Sequence, residues 1–487
     1  MVNQKKNTGV ISSDLSQKLN SSPADFHHVH LMGICGTGMA SLAGILKQRG
    51  YRVTGSDENI YPPMSLFLQD LSIPILKGYR AENLNPTPDL VIVGNVITRF
   101  NPEAVELARL CIPYLSLPQA LKQFAIEGKK SIVISGTHGK TTTSTMASWV
   151  LEEAGMDPSF MIGGIPVNFQ GSFKLGKGTY FIIEGDEYDT AFFDKGPKFL
   201  HYAPWAVVLT SIEFDHADIF RDLNHVVESF RKLIGLIPLS GILIANGDDP
   251  VVLAESKRSK CDVITYGLSN NNLWRAVDIS TEGGLTRFKA LKGDMEYISI
   301  TTPIYGQHNI SNLLSAIALS NFLNIEQSAL SSAAFSFQGV KRRQEIRGEK
   351  AGILVLDDFA HHPTAVEKTI KAVKNRYKER RLIAVFEPRS NSSRRDIFQE
   401  RYASSFDKAD LVFIPEPPMM GKIPPKERFS SRKLVESLIK REVTATYSTD
   451  TGQLLREILD KVRPGDVVLI MSNGSFDNLH DRLLDSL

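Results

Sequence analysis

The segment at residues 131–145 constrains the fold more than any other part of this 487-residue chain. It begins with a short run of β-branched residues, typical of a buried parallel strand, and the run is broken at Gly136 and Gly139. Lys140 and Thr141 come next, followed by residues that favour a helix. Glycines let backbone N–H groups approach an anion, and a helix N-terminus carries a partial positive charge. This order of elements therefore predicts a loop that binds nucleotide phosphates.

One position of this loop departs from the general pattern G-x-x-x-x-G-K-[ST], because Ile134 stands where the first glycine would be. We expect Lys140 to reach the β- and γ-phosphates and the hydroxyl of Thr141 to hold Mg²⁺. The alternative interpretation is an ordinary glycine turn with a solvated lysine. The preceding strand, the following helix and the run of threonines favour nucleotide binding.

Composition and charge exclude several classes of protein. The length suggests about three domains. A net charge of +2, without a long block of Lys or Arg, gives no electrostatic case for binding nucleic acid. No apolar run approaches the roughly 18 residues that span a membrane. The three cysteines lack metal-ligand or redox spacing, which suits a reducing cytoplasm. The polar residues 1–25 are no secretory signal, and we predict a flexible extension there.

A second pattern of strand, glycine turn and helix start begins at His28. Gly36 and Gly38 have the spacing of the first two glycines of the dinucleotide fingerprint. A strand about twenty residues later ends in Asp57, the place of the acidic residue in that fingerprint. We therefore predict a Rossmann-like domain at 26–128 that binds a nucleotide, whose identity the glycine pattern leaves open.

Polar side chains follow the carboxyl ends of several predicted strands, the edge at which open parallel sheets bind ligands. Asn95 and Arg99 follow a strand of the first domain. In a central domain at 129–338, acidic clusters at 184–189 and 213–218 each follow an apolar strand. Oxygen ligands beside a phosphate loop are what Mg²⁺ on a triphosphate requires. The alternative is that these acids are solvated loop residues.

The end of the central domain and the remaining chain add further polar groups. Asn309 and Asn312 share one face of a predicted helix, where an amide could reach a base or sugar, although Asn309 could equally cap the helix. A renewed alternation of strands and helices predicts a third domain at 339–487. Two of its strands end in polar clusters, at 357–363 and 387–391. We expect these clusters to form a binding face directed at the other domains.

Taken together and in order, these motifs resemble those of the Mur ligases, ATP-dependent amide-forming enzymes of peptidoglycan synthesis. The resemblance runs from His28 to the C-terminus. It implies an α/β fold of three domains: a Rossmann-like N-terminal domain, a central P-loop-type mononucleotide-binding domain and a C-terminal Rossmann-like domain. The motifs that carry it lie at 136–141, 184–187, 215–216, 306–309 with Asn312, 342–343 and 358–361.

The resemblance implies ATP and Mg²⁺ as cofactors and a role for each matching residue. Implied catalytic residues are Lys140, Glu184, His216 and Arg343, and implied Mg²⁺ ligands are Thr141, Glu184 and His216. Residues implied to bind ATP are Gly136, Thr137, His138, Gly139, Lys140, Thr141, Thr142, Asn309, Asn312, Arg343, Asp358 and His361. Residues implied to bind the other substrates are Gly33, Gly36, Thr37, Gly38, Met39, Asp57, Asn95, Arg99, His138, Glu187, Arg389 and Asn391.

Within the family, five stretches resemble the members that recycle a murein tripeptide. They lie at 59–65, 191–195, 213–220, 387–391 and 471–474. This implies that the carboxylate of UDP-N-acetylmuramate attacks the γ-phosphate of ATP, and that the amine of L-Ala-γ-D-Glu-meso-diaminopimelate then attacks the acyl phosphate. His216 and Glu187 are both candidates for the base that accepts the amine proton. The alternative acceptor is L-alanine; a folylpolyglutamate synthetase is disfavoured because it lacks a separate UDP-binding domain.

Two alternatives lie outside the family. An NAD(P)-dependent dehydrogenase would use the first glycine fingerprint but would leave the Lys140 loop unexplained. A nucleotide-gated binding protein would use the phosphate loop without ligation. The chain also departs from the family where Gly185 replaces the usual Ala. Several members carry a carbamoylated lysine after the Asp-His motif; the nearest candidates here are Arg231 and Lys232, and we do not assign that modification.

Overall fold

The computed structural model describes residues 15–60, 64–169 and 171–487. It contains three successive α/β units, each built on its own sheet. Residues 1–14 of the predicted extension lie outside the described residues, as do residues 61–63 of the stretch 59–65. Within the described residues, none of the helices is both long enough and apolar enough to cross a membrane.

The first sheet has five parallel strands in the order β3-β2-β1-β4-β5. The strand order reverses between β1 and β4, so the loops that leave their carboxyl ends diverge and open a crevice for a ligand. Strand β4 is buried along its whole length because helices cover both faces of a parallel sheet. The elements in chain order are β1 (His28–Met32), α1 (Thr37–Gln48), β2 (Arg52–Asp57), α2 (Met64–Asp70), β3 (Ile75–Lys77), β4 (Leu90–Val93), α3 (Pro102–Leu110), β5 (Tyr114–Ser116) and α4 (Leu117–Leu121).

Residues 15–20 correct the prediction of a flexible extension. The side-chain amide of Asn20 donates to the carbonyl oxygen of Tyr114 at 3.0 Å and exchanges hydrogen bonds with the side chain of Gln119. Leu15 and Leu19 pack against the core of the first domain. Two leucines four residues apart in an otherwise polar segment attach it, because each is partly buried and so gains part of the roughly 1.5–3 kcal/mol that full burial of a leucine is worth.

The central sheet has ten strands in the order β15-β14-β13-β12-β11-β10-β6-β9-β7-β8. Strands β13 to β15 form antiparallel pairs, and β8 is antiparallel to β7. Strand β6 lies between β10 and β9 and runs parallel to both, so the loops that follow these three strands meet at one edge. The elements are β6 (Lys130–Ser135), α5 (Lys140–Glu153), β7 (Ser159–Met161), β8 (Phe173–Lys174), β9 (Tyr180–Gly185), β10 (Pro204–Leu209), α6 (Leu223–Gly235), β11 (Ile242–Asn246), α7 (Pro250–Ser256), β12 (Asp262–Gly267), β13 (Trp274–Glu282), β14 (Leu285–Lys292), β15 (Met295–Thr302), α8 (Gln307–Phe322) and α9 (Gln327–Ser336).

The C-terminal sheet has six strands in the order β16-β17-β21-β18-β19-β20. All neighbours are parallel except β16 and β17. The elements are β16 (Glu345–Lys350), β17 (Ile353–Asp358), α10 (Pro363–Arg376), β18 (Leu382–Phe386), α11 (Gln399–Ser405), β19 (Leu411–Pro415), α12 (Ser431–Lys440), β20 (Ala445–Ser448), α13 (Thr451–Lys461), β21 (Val467–Met471) and α14 (Leu479–Ser486). The predicted fold class of three α/β domains is confirmed; the residue limits given to the domains stay predictions.

Candidate active site

Loops from all three units line a large cavity of about 1320 Å³. Clefts between domains are common sites for small molecules, since side chains from several elements can converge there. The predicted site residues that line it are Gly33, Gly36, Thr37, Gly38, Met39, Asp57, Asn95, Thr137, His138, Gly139, Lys140, Thr141, Thr142, Glu184, His216, Asn309, Asn312, Arg343, Asp358 and His361. Residues that the sequence separates by more than 300 positions therefore share one site.

Two glycines let the phosphate loop run close to its neighbours. Gly136 has a φ of 135°, and a Cβ atom there would lie 2.2 Å from Thr210 Oγ1. Gly139 has a φ of 83°, and its Cβ would lie 2.8 Å from Asn312 Oδ1. L-residues avoid these conformations, so a side chain at either position would add strain to a clash. Helix α5 starts at the next residue and presents its N-terminus to the cavity.

Lys140 is held among carboxylates at the mouth of the phosphate loop. Its Nζ donates to the carbonyl oxygen of Gly136 at 2.7 Å and to Glu187 Oε2 at 3.1 Å. Asp186 Oδ1 lies 4.0 Å away. Burial by itself would lower the pKa of Lys140, but the carboxylates of Glu187 and Asp186 raise it above its ordinary value. The ammonium group therefore stays charged where a phosphate would bind.

Oxygen donors converge beside this lysine at the start of α5. The hydroxyl of Thr141 donates to Glu184 Oε2 at 3.1 Å, and Glu184 Oε1 accepts from the backbone N–H of Gly163 at 2.6 Å. Burial, and then the charge of Asp186, raise the pKa of Glu184. A carboxylate and a hydroxyl at a helix N-terminus are a donor set that Mg²⁺ accepts, and the ion's charge would offset this repulsion between carboxylates.

His216 and Glu187 lie together, behind Lys140. His216 Nε2 is 3.7 Å from Glu187 Oε1, and the backbone of His216 is left-handed, with a φ of 52°. Glu187 is 2% exposed and does not line the cavity, so it contacts Lys140 and His216 instead of open space. The two residues considered as the amine base are thus partners of each other, a relation that the sequence did not indicate.

Asp215 joins the central and C-terminal units. Its Oδ1 accepts from the hydroxyl of Ser392 at 2.6 Å, and its Oδ2 lies 3.9 Å from His361 Nε2. Burial would raise the pKa of Asp215, but the facing imidazoles of His361 and His216 hold it well below its ordinary value. The carboxylate is therefore charged and sets the position of His361 beside the cavity.

The asparagines of α8 and an arginine of the C-terminal unit complete the cavity wall. Asn309 donates from Nδ2 to the carbonyl oxygen of Tyr305 at 3.0 Å, and Asn312 lies next to the phosphate loop at Gly139. The guanidinium of Arg343 stacks on the ring of Phe359, 4.8 Å from its centroid. Burial lowers the pKa of Arg343, although the carboxylate of Asp358 opposes that change.

Asp358 has a local structural role as well. Its two carboxylate oxygens accept from the backbone N–H groups of Gln344 at 2.9 Å and Ala360 at 2.7 Å. Burial raises the pKa of Asp358, against the charge of Arg343 and these hydrogen bonds. The carboxylate therefore holds the turn that carries Arg343 beside the strand end that carries His361.

In the first unit, Asp57 organises the glycine loop. Its Oδ2 accepts from the backbone N–H of Cys35 at 2.9 Å, and its Oδ1 accepts from the backbone N–H of Asn59 at 2.9 Å. The backbone N–H groups of residues 33–36 are bonded within the unit, so the donors that face the cavity are the N–H groups of the first turn of α1, and the segment 33–39 contains no lysine. Such a loop suits an anion held by backbone donors.

Three predicted substrate-binding residues lie away from the large cavity. Arg99 lines a neighbouring recess of about 350 Å³, which Asn95 also lines. Asn391 donates from Nδ2 to Asp218 Oδ2 at 2.9 Å, and Arg389 Nη1 donates to Glu387 Oε1 at 3.3 Å. The loop at 387–395 therefore packs on the loop that carries His216, and its side chains bind each other and that loop.

The sequence did not indicate Lys198 or His362 as site residues. Lys198 Nζ donates to Asp186 Oδ2 at 3.2 Å and lies over the ring of Tyr188 at 4.1 Å, in a short turn without any motif. His362 follows the motif residue His361 and lies with its ring centroid 4.6 Å from that of His138. In the sequence, His362 was marked only by its place in the polar cluster at 357–363, next to His361. Its contact with His138 follows from the packing of the central and C-terminal units.

Comparisons with known proteins place this site in a family. The Mur ligase family catalytic domain matches residues 28–129, the Mur ligase middle domain residues 134–320 and the glutamate ligase domain of Mur ligases residues 342–474. A curated Escherichia coli (strain K12) protein named UDP-N-acetylmuramate–L-alanyl-γ-D-glutamyl-meso-2,6-diaminoheptandioate ligase is 39% identical over 94% of this chain and 98% of its own length.

The chain belongs to the Mur ligase family.

Two other relatives help to place this Mur ligase. A UDP-N-acetylmuramate–L-alanine ligase of Endomicrobium trichonymphae is 34% identical over 94% of the chain and 98% of its own length. The crystal structure of a murein peptide ligase from Psychrobacter arcticus 273-4 superposes with a TM-score of 0.71 and 34% identity, covering 94% of this chain and 98% of that one. Mur ligases are ATP-dependent amide ligases, and this chain is one.

Proposed function

We propose that this Mur ligase joins the lactyl carboxylate of UDP-N-acetylmuramate to the N-terminal amine of L-Ala-γ-D-Glu-meso-diaminopimelate in peptidoglycan recycling. The observation that carries the proposal is the 39% identity, over nearly the whole length of both chains, to the Escherichia coli relative named for that reaction. The relative named for L-alanine ligation is 34% identical over the same share of this chain. We further propose that the enzyme works in the cytoplasm, where ATP is available.

ATP would bind between the central and C-terminal units. The phosphate loop at 136–142 would hold its phosphates through backbone N–H groups and Lys140. Asn309 and Asn312 would contact the base, while Arg343, Asp358 and His361 would contact phosphate and ribose. The convergence of these side chains on one cavity supports this arrangement.

Mg²⁺ fits the oxygen donors at the start of α5. Thr141 and Glu184 would hold one ion, and His216 would serve a second one near the reacting carboxylate. When bound, Mg²⁺ offsets the negative charge of the triphosphate. Support comes from the hydroxyl of Thr141 and the half-buried carboxylate of Glu184, which are already in contact at 3.1 Å.

The UDP moiety would bind on the first unit. Gly33, Gly36, Thr37, Gly38 and Met39 would surround its diphosphate, and Asp57 would hold this loop in shape. Asn95 and Arg99 would bind the same substrate beyond its diphosphate, where the cavity meets the neighbouring recess. The lactyl carboxylate must then reach Lys140, a step that needs the first and central units to face each other across the cavity.

The reaction would proceed in two steps. The lactyl carboxylate attacks the γ-phosphate to give an acyl phosphate, while Lys140 and Arg343 stabilise the charge on the transferred group. The peptide amine then attacks the acyl carbon and phosphate leaves. His216 and Glu187 are the two candidates for the base, and Glu187 is buried and faces both Lys140 and His216. While the ring nitrogen of His216 holds an ion, the proton would go to Glu187. Arg389 and Asn391 would order the loop that reads the peptide.

The test is phosphate release with Mg²⁺, ATP and UDP-N-acetylmuramate in two parallel reactions. One receives L-alanine and the other receives L-Ala-γ-D-Glu-meso-diaminopimelate. Release with the tripeptide alone is expected. Release with L-alanine alone would assign the chain to the other acceptor and leave the ATP site in place, and release in neither reaction would contradict the proposed donor.

A further inference from the structure

Two imidazoles and a carboxylate meet where the central and C-terminal units pack together. One donor atom from each of His138, Glu213 and His362 lies within 4.8 Å of the other two. His138 Nε2 is 3.5 Å from Glu213 Oε1, and His362 Nδ1 is 3.9 Å from Glu213 Oε2. We propose that this cluster is a binding site for a divalent transition-metal ion of the zinc class, separate from the Mg²⁺ of the nucleotide.

The ring of His138 offers an unused donor atom to this site. Its backbone belongs to the phosphate loop and donates from N–H to Ser211 Oγ at 3.0 Å. Its Nε2 is buried and has no hydrogen-bond partner among the described residues. Its contact with Glu213 Oε1 at 3.5 Å is an ion pair that is too long for a good hydrogen bond, and buried polar atoms nearly always have a close partner. An ion at this point would supply it.

The surroundings of His362 leave its other nitrogen available. Its Nε2 lies 3.2 Å from the carbonyl oxygen of Phe214, a contact that requires the proton on Nε2. The lone pair is then on Nδ1, the atom directed at Glu213. Metal-binding histidines are commonly held this way, with the second ring N–H bound to a backbone carbonyl. Nδ1 also accepts the hydrogen bond from the N–H of Thr364 that caps α10. This bond is long, at 3.3 Å, and an ion bound to Nδ1 would replace it.

Glu213 is fixed so that one carboxylate oxygen remains free. Its Oε2 accepts from the hydroxyl of Thr364 at 2.7 Å and lies 3.4 Å from Arg401 Nη2. Its backbone N–H donates to Thr137 Oγ1 at 2.8 Å, which ties it to the phosphate loop. Oε1 therefore faces His138 Nε2, while the partners of Oε2 orient the carboxylate, as outer partners do for a metal-binding carboxylate.

The donor set and its spacing select the ion. Two histidines and one carboxylate form the three-ligand set of many zinc sites. Bonds of about 2.0–2.1 Å to a tetrahedral ion place neighbouring donor atoms about 3.4 Å apart. The histidine nitrogens lie 3.5 Å from Oε1 and 3.9 Å from Oε2 of Glu213, and one donor atom of each residue lies within 4.8 Å of the others, so the side chains would have to draw together around the ion. Mg²⁺ prefers oxygen ligands and keeps its waters, so it would compete poorly here.

An ion at this site would join two units of the enzyme. His138 and Glu213 belong to the central unit, whereas His362 precedes α10 of the C-terminal unit. A bound ion would tie these units together, and any step of turnover that needs them to open would slow. We therefore expect zinc to slow turnover at saturating Mg²⁺ while it raises the unfolding temperature.

The test is equilibrium dialysis of the full chain against micromolar Zn²⁺ with a large excess of Mg²⁺ and no nucleotide. The wild type is expected to retain one zinc per chain, and Co²⁺ in its place is expected to show the strong visible absorption of a tetrahedral site. Glu213→Gln and His362→Asn should each weaken binding at least tenfold. His201→Asn is the matched control, because His201 pairs with Asp194 at 2.8 Å outside the cluster and its loss should leave binding unchanged.

Absence of zinc binding by the wild type would overturn the proposal and leave a simple ion pair between His138 and Glu213. Equal binding by wild type and Glu213→Gln would also overturn it, even if His362→Asn fails to fold. Because this experiment uses no substrate, its outcome is independent of the acceptor proposed above.

Discussion

The two glycine loops of this protein start from the same local pattern and become different sites. Each follows an interior strand of a parallel array, β1 or β6, and leads into a helix, α1 or α5. After β6, Lys140 and Thr141 meet carboxylates that arrive from β9. After β1 there is no lysine, and Asp57 from the neighbouring strand accepts hydrogen bonds from the loop itself.

The difference shows that a glycine loop alone does not determine which anion is bound. A triphosphate carries more charge and binds a metal, so its loop needs a cation and oxygen donors nearby. A diphosphate can be held by backbone N–H groups at a helix N-terminus. The groups that neighbouring strands contribute therefore distinguish the two sites.

Lys140→Ala should lower the rate of ligation about 10³-fold, because one charged donor is lost at the transferred phosphoryl group. Binding of UDP-N-acetylmuramate should stay within about twofold of the wild type, since the first loop does not contact this lysine. Steady-state phosphate release and calorimetric binding of the UDP-sugar measure the two effects. A variant that ligates at nearly the wild-type rate would contradict the assignment of this loop.

Gly136→Ala and Gly36→Ala compare equivalent substitutions in the two loops. At Gly136 the new Cβ would meet Thr210 Oγ1 at 2.2 Å with φ at 135°, whereas at Gly36 the nearest atom is Gly33 O at 3.6 Å. We expect the first change to cost about 2–4 kcal/mol of stability and the second about 0.5 kcal/mol or less. Chemical unfolding of both variants measures the two losses in the free energy of unfolding. Equal losses would mean that the loop at Gly136 is not strained.

Asp57→Asn should weaken binding of UDP-N-acetylmuramate about tenfold and leave ATP binding unchanged. The charged acceptor of the N–H groups of Cys35 in the loop and of Asn59 after β2 becomes neutral, and hydrogen bonds to charged groups are worth about 1.5–3 kcal/mol. Competition titrations with the UDP-sugar and with ATP measure each site separately. Weakening of both ligands together would show that the two loops are coupled, contrary to their separate construction.

Asp89→Asn should have the smallest effect, at the far end of β1. Asp89 Oδ2 accepts from the backbone N–H groups of His27 and His28 at 2.9 Å, and these hydrogen bonds lower the pKa of the carboxyl. Because the pKa of Asp89 is lowered in the folded state, its charged carboxylate stabilises the fold at any pH above the unfolded-state pKa of about 3.9. This stabilisation is lost as the pH falls through the folded-state pKa. We expect the variant to melt about 1–3 °C lower at pH 7, with the difference closing as the pH falls through the lowered pKa of the folded state. A constant difference across that range would contradict the role of the charge.

The sequence by itself predicted the elements that depend on neighbouring residues. Apolar β-branched runs followed by glycine and a helix predicted β1, β6 and the loops after them, because strand and helix periodicity are local properties. The motifs at 136–141 and 358–361 likewise identified residues that line the cavity, since their backbone shape is set within a few positions.

Only the tertiary structure decided which of these residues meet. Glu187 was expected at the substrate and instead lies buried between Lys140 and His216, because β9 and β10 flank β6. Residues 15–20 pack on the first domain through partners about 95 positions away. The cluster of His138, Glu213 and His362 likewise depends on the packing of two units. Such contacts are formed by burial and complementarity between distant segments, and no local periodicity in the chain encodes them.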